Sequence, residues 1–348
     1  MRREMFRMSD DEALALLARA PFVHLAGVDE EGSPVLRALH VVVVDGALCF
    51  HASPAGEKTT LLGRPVVLCA EEVIAEVPSY FSDAERACPA TTLYRSAQVH
   101  GVVTAVDDVE TKARVLQEIM RRYQPEGLHR PITHDDPMYA AAVRGLLVAR
   151  VVPTAVDGKA KLAQNKKAEE VGALLERLWQ RGAAGDARAV QLVRAANPST
   201  TTPAFLAAPP GATLICACDH RHVDGAVALL ASAYWNTTVS SAALATALPA
   251  SSAWVAAVDD AGTVIGTARA LSDNAKWATF YDVVVAETWR GHGVGSALVR
   301  LLLDHPAVRG AERVTLRTRD AQRVYAPFGF IERPSSTHPE MVLRRSAA

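Results

Sequence analysis

The chain has 348 residues and a mass of 37.2 kDa, which corresponds to about two domains and excludes a single small module. Hydrophobic residues make up 49% of the chain and charged residues 22%, a globular composition that excludes a largely disordered protein. The 37 basic and 38 acidic side chains leave a net charge of −1, so the basic field that nucleic-acid binding requires is missing.

Membrane and metal signals are also missing from the sequence. No apolar run reaches the roughly 18–20 residues of a membrane span, and the charged N-terminus lacks a signal-peptide core. The five cysteines form no Cys-x-x-Cys pair, and Cys216 and Cys218 are expected to be buried thiols on one face of a strand. We therefore expect a cytoplasmic protein with no metal site and neither nucleic-acid nor membrane partners.

The first half of the chain has the pattern of strands enclosed by a few helices. Ser9 is a typical N-cap for a helix that ends at Pro21, and Asp45-Gly46 is a hairpin dipeptide between apolar runs. Strands are predicted at 22–28, 35–44, 47–51, 66–77, 94–106 and 146–152, helices at 109–123, 167–181 and 186–195, and a long loop at 78–92. This order predicts a small β-barrel with flanking helices.

The second half alternates strands and helices. Strands are predicted at 213–218, 253–258, 264–270, 278–285, 314–316 and near Met341, and helices at 223–232, 294–303 and 321–328. Four prolines and a Ser/Thr run interrupt any regular pattern at 195–211. The sequence therefore predicts an α+β protein with a first domain at 1–195, a linker at 196–211 and a second domain at 212–348.

A glycine-bearing turn follows the predicted strand 278–285. Its sequence is Arg290-Gly-His-Gly-Val-Gly295, and it opens a helix. Glycines let backbone N–H groups approach a diphosphate closely, and the helix N-terminus adds about half a positive charge toward it. The dinucleotide fingerprint GxGxxG does not fit, because its third glycine falls on Ser296 or Leu298.

This segment resembles the acetyl-CoA signature of the GNAT N-acetyltransferases, R/Q-x-x-G-x-G/A, through Arg290, Gly293 and Gly295. The resemblance covers about residues 213–346 and implies a mixed α/β sheet. It includes Tyr234-Trp235-Asn236, Thr318-Arg-Asp-Ala321 and a tyrosine before Gly329-Phe330. It implies that acetyl-CoA binds to Val283 and Val285 on a bulged strand, and to Arg290, Gly291, Gly293, Val294 and Gly295 at the turn.

Acetyl transfer from a thioester to an amine leaves a thiolate that needs a proton. Tyr325 is the predicted acid, because a phenol with an ordinary pKa near 10 is protonated at neutral pH; the alternative is a core tyrosine on an amphipathic helix. Glu287, Asp273 and Asp282 are candidate bases, each also explained as a surface or structural carboxylate. Asp320 departs from the asparagine that the family often has beside the coenzyme.

The stretch 22–106 resembles the split-barrel flavoproteins related to pyridoxamine 5′-phosphate oxidase. Three segments carry the likeness: Arg37-Ala-Leu-His40, Phe50-His-Ala-Ser53 and Gly56-Glu-Lys-Thr59. Tyr94 and Ser96 are a fourth match, and the basic segment 158–166 resembles one in related flavin-binding proteins and gives supporting evidence. The resemblance implies an FMN site and a homodimer. The implied cofactor-binding residues are Arg37, Leu39, His40, His51, Lys58, Thr59 and Ser96.

Several alternatives stay open for this half. Glu57 replaces a residue that is more commonly basic, and a deazaflavin or haem could stand in for FMN. His51 could be an acid, a base, a haem ligand or an ordinary strand histidine. The leading hypothesis is a fusion of a flavin-dependent oxidoreductase-like domain with an acetyl-CoA-dependent N-acetyltransferase acting on a small-molecule amine. The alternative is a ligand-sensing or regulatory protein in which one domain is catalytically inactive.

Overall fold

A computed structural model describes residues 4–333 and 340–344 of the chain. The chain divides into two compact units, Met1–Glu76 with Thr92–Leu162, and Val77–Thr91 with Ala163–Ala348. In the described residues no helix is long and apolar enough to cross a membrane, and no group of histidine, cysteine or acidic side chains could hold a metal ion.

The N-terminal unit is built on one curled, largely antiparallel sheet, as the split-barrel prediction requires. Its strand order is β2-β1-β5-β6-β7-β4-β3. The strands are β1 (Val23–Val28), β2 (Pro34–Leu39), β3 (Val42–Val44), β4 (Ala47–Ala52), β5 (Pro65–Val77), β6 (Thr91–Ala105) and β7 (Leu147–Lys161). The helices are α1 (Asp10–Arg19), α2 (Val109–Tyr123) and α3 (Ala140–Gly145).

Local signals place several of these elements correctly. Ser9 and Glu12 form a reciprocal capping box at the start of α1, with N–H to side-chain oxygen distances of 3.2 and 3.0 Å. Asp45 and Gly46 both have positive φ, 52° and 74°, as a tight hairpin turn between β3 and β4 needs. Helix α2 spans the predicted residues.

Two local predictions in this unit are wrong, and one helix was missed. The strand predicted at 35–44 is two strands, because β2 pairs with β1 at one edge of the sheet and β3 pairs with β4 at the other, so the chain must turn between them at His40 and Val41. The strand predicted to end at 152 continues to Lys161 along β6. Helix α3 was not predicted.

The C-terminal unit contains a mixed sheet with the order β13-β14-β12-β11-β10-β9-β8. The strands are β8 (Ala212–Ile215), β9 (Ala253–Asp259), β10 (Val264–Ser272), β11 (Trp277–Val285), β12 (Arg313–Arg317), β13 (Ile331–Arg333) and β14 (Glu340–Arg344). The helices are α4 (Ala168–Arg181), α5 (Asp186–Ala196), α6 (Val223–Ala231), α7 (Ser241–Ala247), α8 (Val294–Asp304) and α9 (Gln322–Tyr325).

Helix α8 connects β11 to its parallel neighbour β12 and buries the predicted face, since Leu298, Leu301 and Leu302 are fully buried. Helix α7 and strand β13 were not predicted, and the helix predicted at 321–328 is α9 followed by a 3₁₀ turn at Ala326–Phe328. Cys216 is buried as expected, but Cys218 is only partly buried. Both residues follow the end of β8 and do not lie on a strand.

Helices α4 and α5 cluster with the C-terminal unit. The segment predicted as a linker carries a 3₁₀ turn in which Leu206 is buried and Phe205 stacks on Trp179 of α4, with ring centroids 4.4 Å apart. These units differ from the boundaries 1–195, 196–211 and 212–348, which stay a prediction of where each domain ends.

Replacing Trp179 with alanine is expected to destabilise the C-terminal unit by about 3–5 kcal/mol, the usual loss for a large buried aromatic side chain. Trp179 is 2% exposed, and its indole N–H donates to Asp304 at the end of α8 at 2.6 Å. Urea unfolding of the full chain measures the loss. The 39% exposed Trp277 provides the control, Trp277→Ala, and equal losses for both variants would contradict the packing role of α4.

Candidate functional site

The main chain of β11 has an open edge. Strand β11 pairs with β12 only from Trp277 to Thr279, and beyond Thr279 no described strand pairs with that side of β11. On the other side the Ala286 N–H donates to Ile265 of β10 at 2.8 Å. Because successive peptide groups point in opposite directions, the N–H and C=O of Val285, and of Val283 two residues earlier, face the open side. The two predicted valines therefore offer main-chain groups to a ligand.

A β-bulge precedes these valines, as predicted. The register of β10 and β11 shifts between Thr267 and Arg269, where Asp282 has a φ of 55°. The Asp282 carboxylate accepts from the Trp235 indole at 3.0 Å and pairs with Arg269 at 2.5 Å. Asp282 is thus a structural carboxylate that holds the bulge in place.

The other two candidate bases differ in their surroundings. Asp273 accepts hydrogen bonds from three backbone N–H groups, and those of Trp277, Ala275 and Lys276 hold its pKa below the ordinary value. Glu287 is exposed in a 3₁₀ turn, and its side chain has no partner among the described residues. Of the three carboxylates, Glu287 alone has a side chain without a hydrogen bond or ion pair to a described residue.

The glycine turn ends in a helix whose N-terminus has no side-chain cap. Gly291 and Gly293 have φ of 80° and 85°, a conformation that residues with a Cβ rarely adopt, and Gly293 is the N-cap of α8. The first α-helical bond runs from Ala297 to Gly293, so the N–H groups of the three residues before Ala297 have no partner within the helix. These donors and the helix dipole form a site suited to an anion.

The remaining residues of the motif surround these donors. The Val294 side chain is buried, so only its main chain can contact a ligand, and Gly295 is half-buried beside Val285. Arg290 is exposed, with its Nε 3.4 Å from the Val285 carbonyl oxygen. The turn and the open edge of β11 are therefore one continuous surface.

Tyr325 lies close to the point where β11 and β12 separate. Its ring packs edge-on against Phe330 at 5.9 Å, and Phe330 lies 6.1 Å from Phe280, the residue after the last paired position of β11. Burial raises the pKa of Tyr325 to about 12, and Tyr234 adds to the shift. No described residue forms a hydrogen bond with its hydroxyl. The phenol is therefore protonated at neutral pH.

In the N-terminal unit, four predicted residues meet around one 3₁₀ turn, Glu57–Leu61. Burial, the Lys58 ammonium and His40 lower the pKa of His51, which places those three side chains close together. Arg37 of β2 forms an ion pair with Glu57 of the same turn. The departure at Glu57 thus compensates the charge of Arg37, while Lys58 is half-buried.

His40 has an orphaned polar atom. Its Nδ1 is buried without a hydrogen-bond partner among the described residues, and its ring lies between Phe22 and Tyr123 at 4.6 and 5.3 Å. Leu39 is a core residue, and the Thr59 hydroxyl donates to the Gly56 carbonyl at 2.8 Å within the turn. Lys58, His40 and His51 therefore fit a polar, anionic ligand, and the roles of Leu39 and Thr59 in cofactor binding stay predictions.

Ser96 is not brought to this cluster within one chain. It pairs with Lys159 of β7, whereas His51 pairs with Val148 of the same strand. The separation of eleven residues between these two partners corresponds to roughly 36 Å along an extended strand.

Sequence reasoning missed two residues that shape the C-terminal site. Arg269 neutralises Asp282, but its position opposite the bulge depends on a register shift that no local pattern reveals. Trp235 is part of the motif Tyr234-Trp235-Asn236, yet its hydrogen bond to Asp282 joins residues 47 positions apart.

Two family models match separate parts of the chain. Residues 9–160 match the model described as Pyridoxamine 5'-phosphate oxidase, and residues 226–330 match the model described as Acetyltransferase (GNAT) family. No curated protein matches the chain.

Solved structures resemble each part at low identity. The FAD and heme binding protein from Mycobacterium smegmatis is 20% identical over 45% of this chain and 74% of its own, with a TM-score of 0.38. A protein of Bacteroides thetaiotaomicron provisionally described as a 5-nitroimidazole antibiotic resistance protein is 22% identical over 44% and 85%, with a TM-score of 0.36. A protein provisionally described as a phosphinothricin N-acetyltransferase is 19% identical over 39% and 99%, with a TM-score of 0.33.

Proposed function

Because the chain joins a pyridoxamine 5'-phosphate oxidase-like domain to a GNAT acetyltransferase domain, we propose that it is a bifunctional fusion. Its C-terminal unit transfers the acetyl group of acetyl-CoA to the amine of a small molecule. Its N-terminal unit binds a flavin, with FMN as the first candidate. The observation that carries the transferase proposal is the uncapped N-terminus of α8 beside the open edge of β11.

In this proposal the diphosphate of the coenzyme lies against the free N–H groups at the start of α8, with Arg290 beside them. The pantetheine arm then follows the open edge of β11, where the peptide groups of Val283 and Val285 provide hydrogen bonds of the kind a neighbouring strand would. This position leads the thioester toward the point where β11 and β12 separate, near Tyr325.

The reaction begins when the lone pair of a neutral amine attacks the thioester carbonyl carbon. A carbon–nitrogen bond forms, the carbon–sulfur bond breaks, and the thiolate leaves with its electron pair. Tyr325 protonates the thiolate and recovers its proton from solvent, while the nitrogen loses a proton to water or to Glu287. A phenol with a pKa of about 12 is a weak acid toward a thiolate in water. The same burial raises the pKa of the coenzyme thiol, so the pKa values of the proton donor and the proton acceptor lie closer together.

The transferase proposal is tested by measuring free thiol released from acetyl-CoA by the full-length protein with a panel of primary amines. Amine-dependent release of thiol, with acetylated amine as the second product, is the expected result. Binding of acetyl-CoA without release with any amine would overturn the transferase proposal and favour the ligand-sensing alternative.

The flavin proposal rests on the cluster of Lys58, His40 and His51 around one turn. Lys58 would neutralise the phosphate, and the buried Nδ1 of His40 would gain a partner. The bound flavin would supply the redox chemistry, while the protein binds it, orients it and excludes water. The ion pair of Arg37 with Glu57 leaves less positive charge for the phosphate.

A homodimer is part of the same proposal. Within one chain, Ser96 and the cluster are separated by roughly 36 Å along β7. A second copy of the chain can bring its own Ser96 to the cluster. Light scattering of the purified protein should then give twice the mass of the chain.

Reversing the charge of Lys58 is expected to remove the flavin. The wild-type protein should be purified yellow with one flavin for each chain, and Lys58→Glu should retain about tenfold less, because a charge-assisted contact to phosphate is replaced by repulsion. Absorbance and released flavin measure the content. Lys276→Glu, the same change at an exposed lysine of the other unit, should retain it. Full flavin content in Lys58→Glu would contradict the site.

A further inference from the structure

Arg319 lies between β12 and α9, the short helix that ends at Tyr325. Its guanidinium carbon is 3.8 Å from the centre of the Tyr234 ring. Tyr234 packs edge-on against Trp235 at 4.9 Å, and Trp235 donates to Asp282 in the bulge of β11 at 3.0 Å. These contacts join the guanidinium of Arg319 to the bulge that precedes the open edge of β11.

A second set of contacts joins Arg319 to the proposed acid. Thr318 Oγ1 accepts from the Ala321 N–H at 3.0 Å, and the Arg319 carbonyl accepts from Gln322 at 3.4 Å, so a tight turn leads into α9, whose last residue is Tyr325. Tyr234 also contributes to the raised pKa of Tyr325, which places the two phenols near each other. Arg319 thus stacks on Tyr234 and immediately precedes the short helix that ends at Tyr325.

The charges around Arg319 favour an anionic group on the acceptor. The Arg319 side chain is 55% exposed, and its described ionic partner is the 65% exposed Asp320 at 3.4 Å, a contact of the weak kind that a ligand can replace. The buried carboxylate nearby, Asp282, is already neutralised by Arg269. A guanidinium stacked flat on an aromatic ring keeps its edge N–H groups free for a carboxylate.

We propose that Arg319 binds a carboxylate of the acceptor, so that the amine acetylated at this site belongs to an amino acid or a similar amino acid-like molecule. This inference rests on the proposed acetyl transfer. Bidentate contact with the guanidinium would place the amine a few bonds away, toward the thioester and Tyr325. Arg319 then determines specificity through binding and takes no part in the proton transfers.

The test compares amino acids with their amides. Methionine, phenylalanine and the corresponding amides are acetylated by the full-length protein, and kcat/KM is corrected for the fraction of neutral amine. The acids are expected to be preferred by about 10- to 100-fold, the usual range for a hydrogen-bonded charge. Arg319→Gln should reduce the ratio toward one, mainly through KM, and Arg319→Lys should restore part of it. Arg323→Gln, at an exposed arginine of α9, should keep the ratio.

Each outcome decides between the two proposals. Equal kcat/KM for acids and amides, or a preference that survives Arg319→Gln, overturns the role of Arg319 while acetyl transfer stands. If Arg323→Gln also removes the preference for acids, that preference comes from the combined positive field of the arginines and not from a contact with Arg319. This result overturns the inference too. No transfer to any of the four amines, nor to the wider amine panel, overturns the transferase proposal and this inference with it.

Discussion

Replacing Tyr325 with phenylalanine is expected to lower kcat for acetyl transfer by about 10²- to 10⁴-fold, the range for loss of a general acid. The affinity for acetyl-CoA should be nearly unchanged, because the main-chain groups of β11 and α8 stay in place. Phenylalanine keeps the ring that packs on Phe330 and removes only the hydroxyl, which has no partner among the described residues. Rapid mixing with quantified thiol release measures kcat, and calorimetry measures binding.

The pH profile adds a second readout to this experiment. The acid form is the active form of Tyr325, and with a pKa of about 12 it stays populated until the pH approaches that value. Ionisation of Tyr325 should therefore cause no loss of rate between pH 7 and roughly 10. Tyr80→Phe removes a hydroxyl from a 59% exposed tyrosine and should keep full activity. Wild-type turnover in Tyr325→Phe would exclude the residue as the acid.

Introducing a carboxylate at the start of α8 is expected to weaken acetyl-CoA binding by about 10- to 100-fold, because it places a negative charge beside the coenzyme diphosphate. Ser296 is suited to this change, since it is exposed in the first turn of the helix and has an ordinary helical conformation. An acidic residue in that turn also interacts favourably with the helix dipole by about 0.3–1 kcal/mol. Ser296→Asp should thus bind the coenzyme less tightly and unfold no more easily.

Because Ser296→Asp is expected to lower the affinity for acetyl-CoA without lowering the stability, the experiment separates loss of binding from loss of structure. Calorimetry measures the Kd for acetyl-CoA, and urea unfolding measures stability. Ser296→Ala removes the hydroxyl without adding charge and should bind nearly as the wild type does. The difference between the two variants should shrink at high salt, because exposed charges are screened. Unchanged affinity in Ser296→Asp would show that the glycine turn is only a turn and holds no diphosphate.

Much of the site was predictable because its signals are local. A glycine turn that opens a helix lies within six residues, and its free N–H groups follow from helix geometry alone. The bulged strand before it and the tyrosine before Gly329-Phe330 came from the family resemblance, and the structure places both around the separation of β11 and β12. The role of Tyr325 stays a prediction until kcat is measured.

Other features depend on contacts between distant residues, which no local pattern carries. The sequence leaves Asp282 as a candidate base, whereas in the structure it pairs with Arg269 and Trp235, and that pairing depends on a shift in strand register. The break at His40 follows from which edge of the sheet each strand joins. The packing of α4 against Phe205 and Asp304 likewise joins segments that the sequence pattern separated with a predicted linker.

The amino-acid sequence of this protein was sufficient for its fold class and for the turn beside α8, since capping, hairpin turns and glycine conformations depend on neighbours a few residues apart. The open edge of β11, the burial of Tyr325 and the separation of Ser96 from His51 followed only from the folded chain. Strand pairing, burial and the resulting pKa shifts depend on residues far apart in the chain, and their positions are set when the whole sheet assembles.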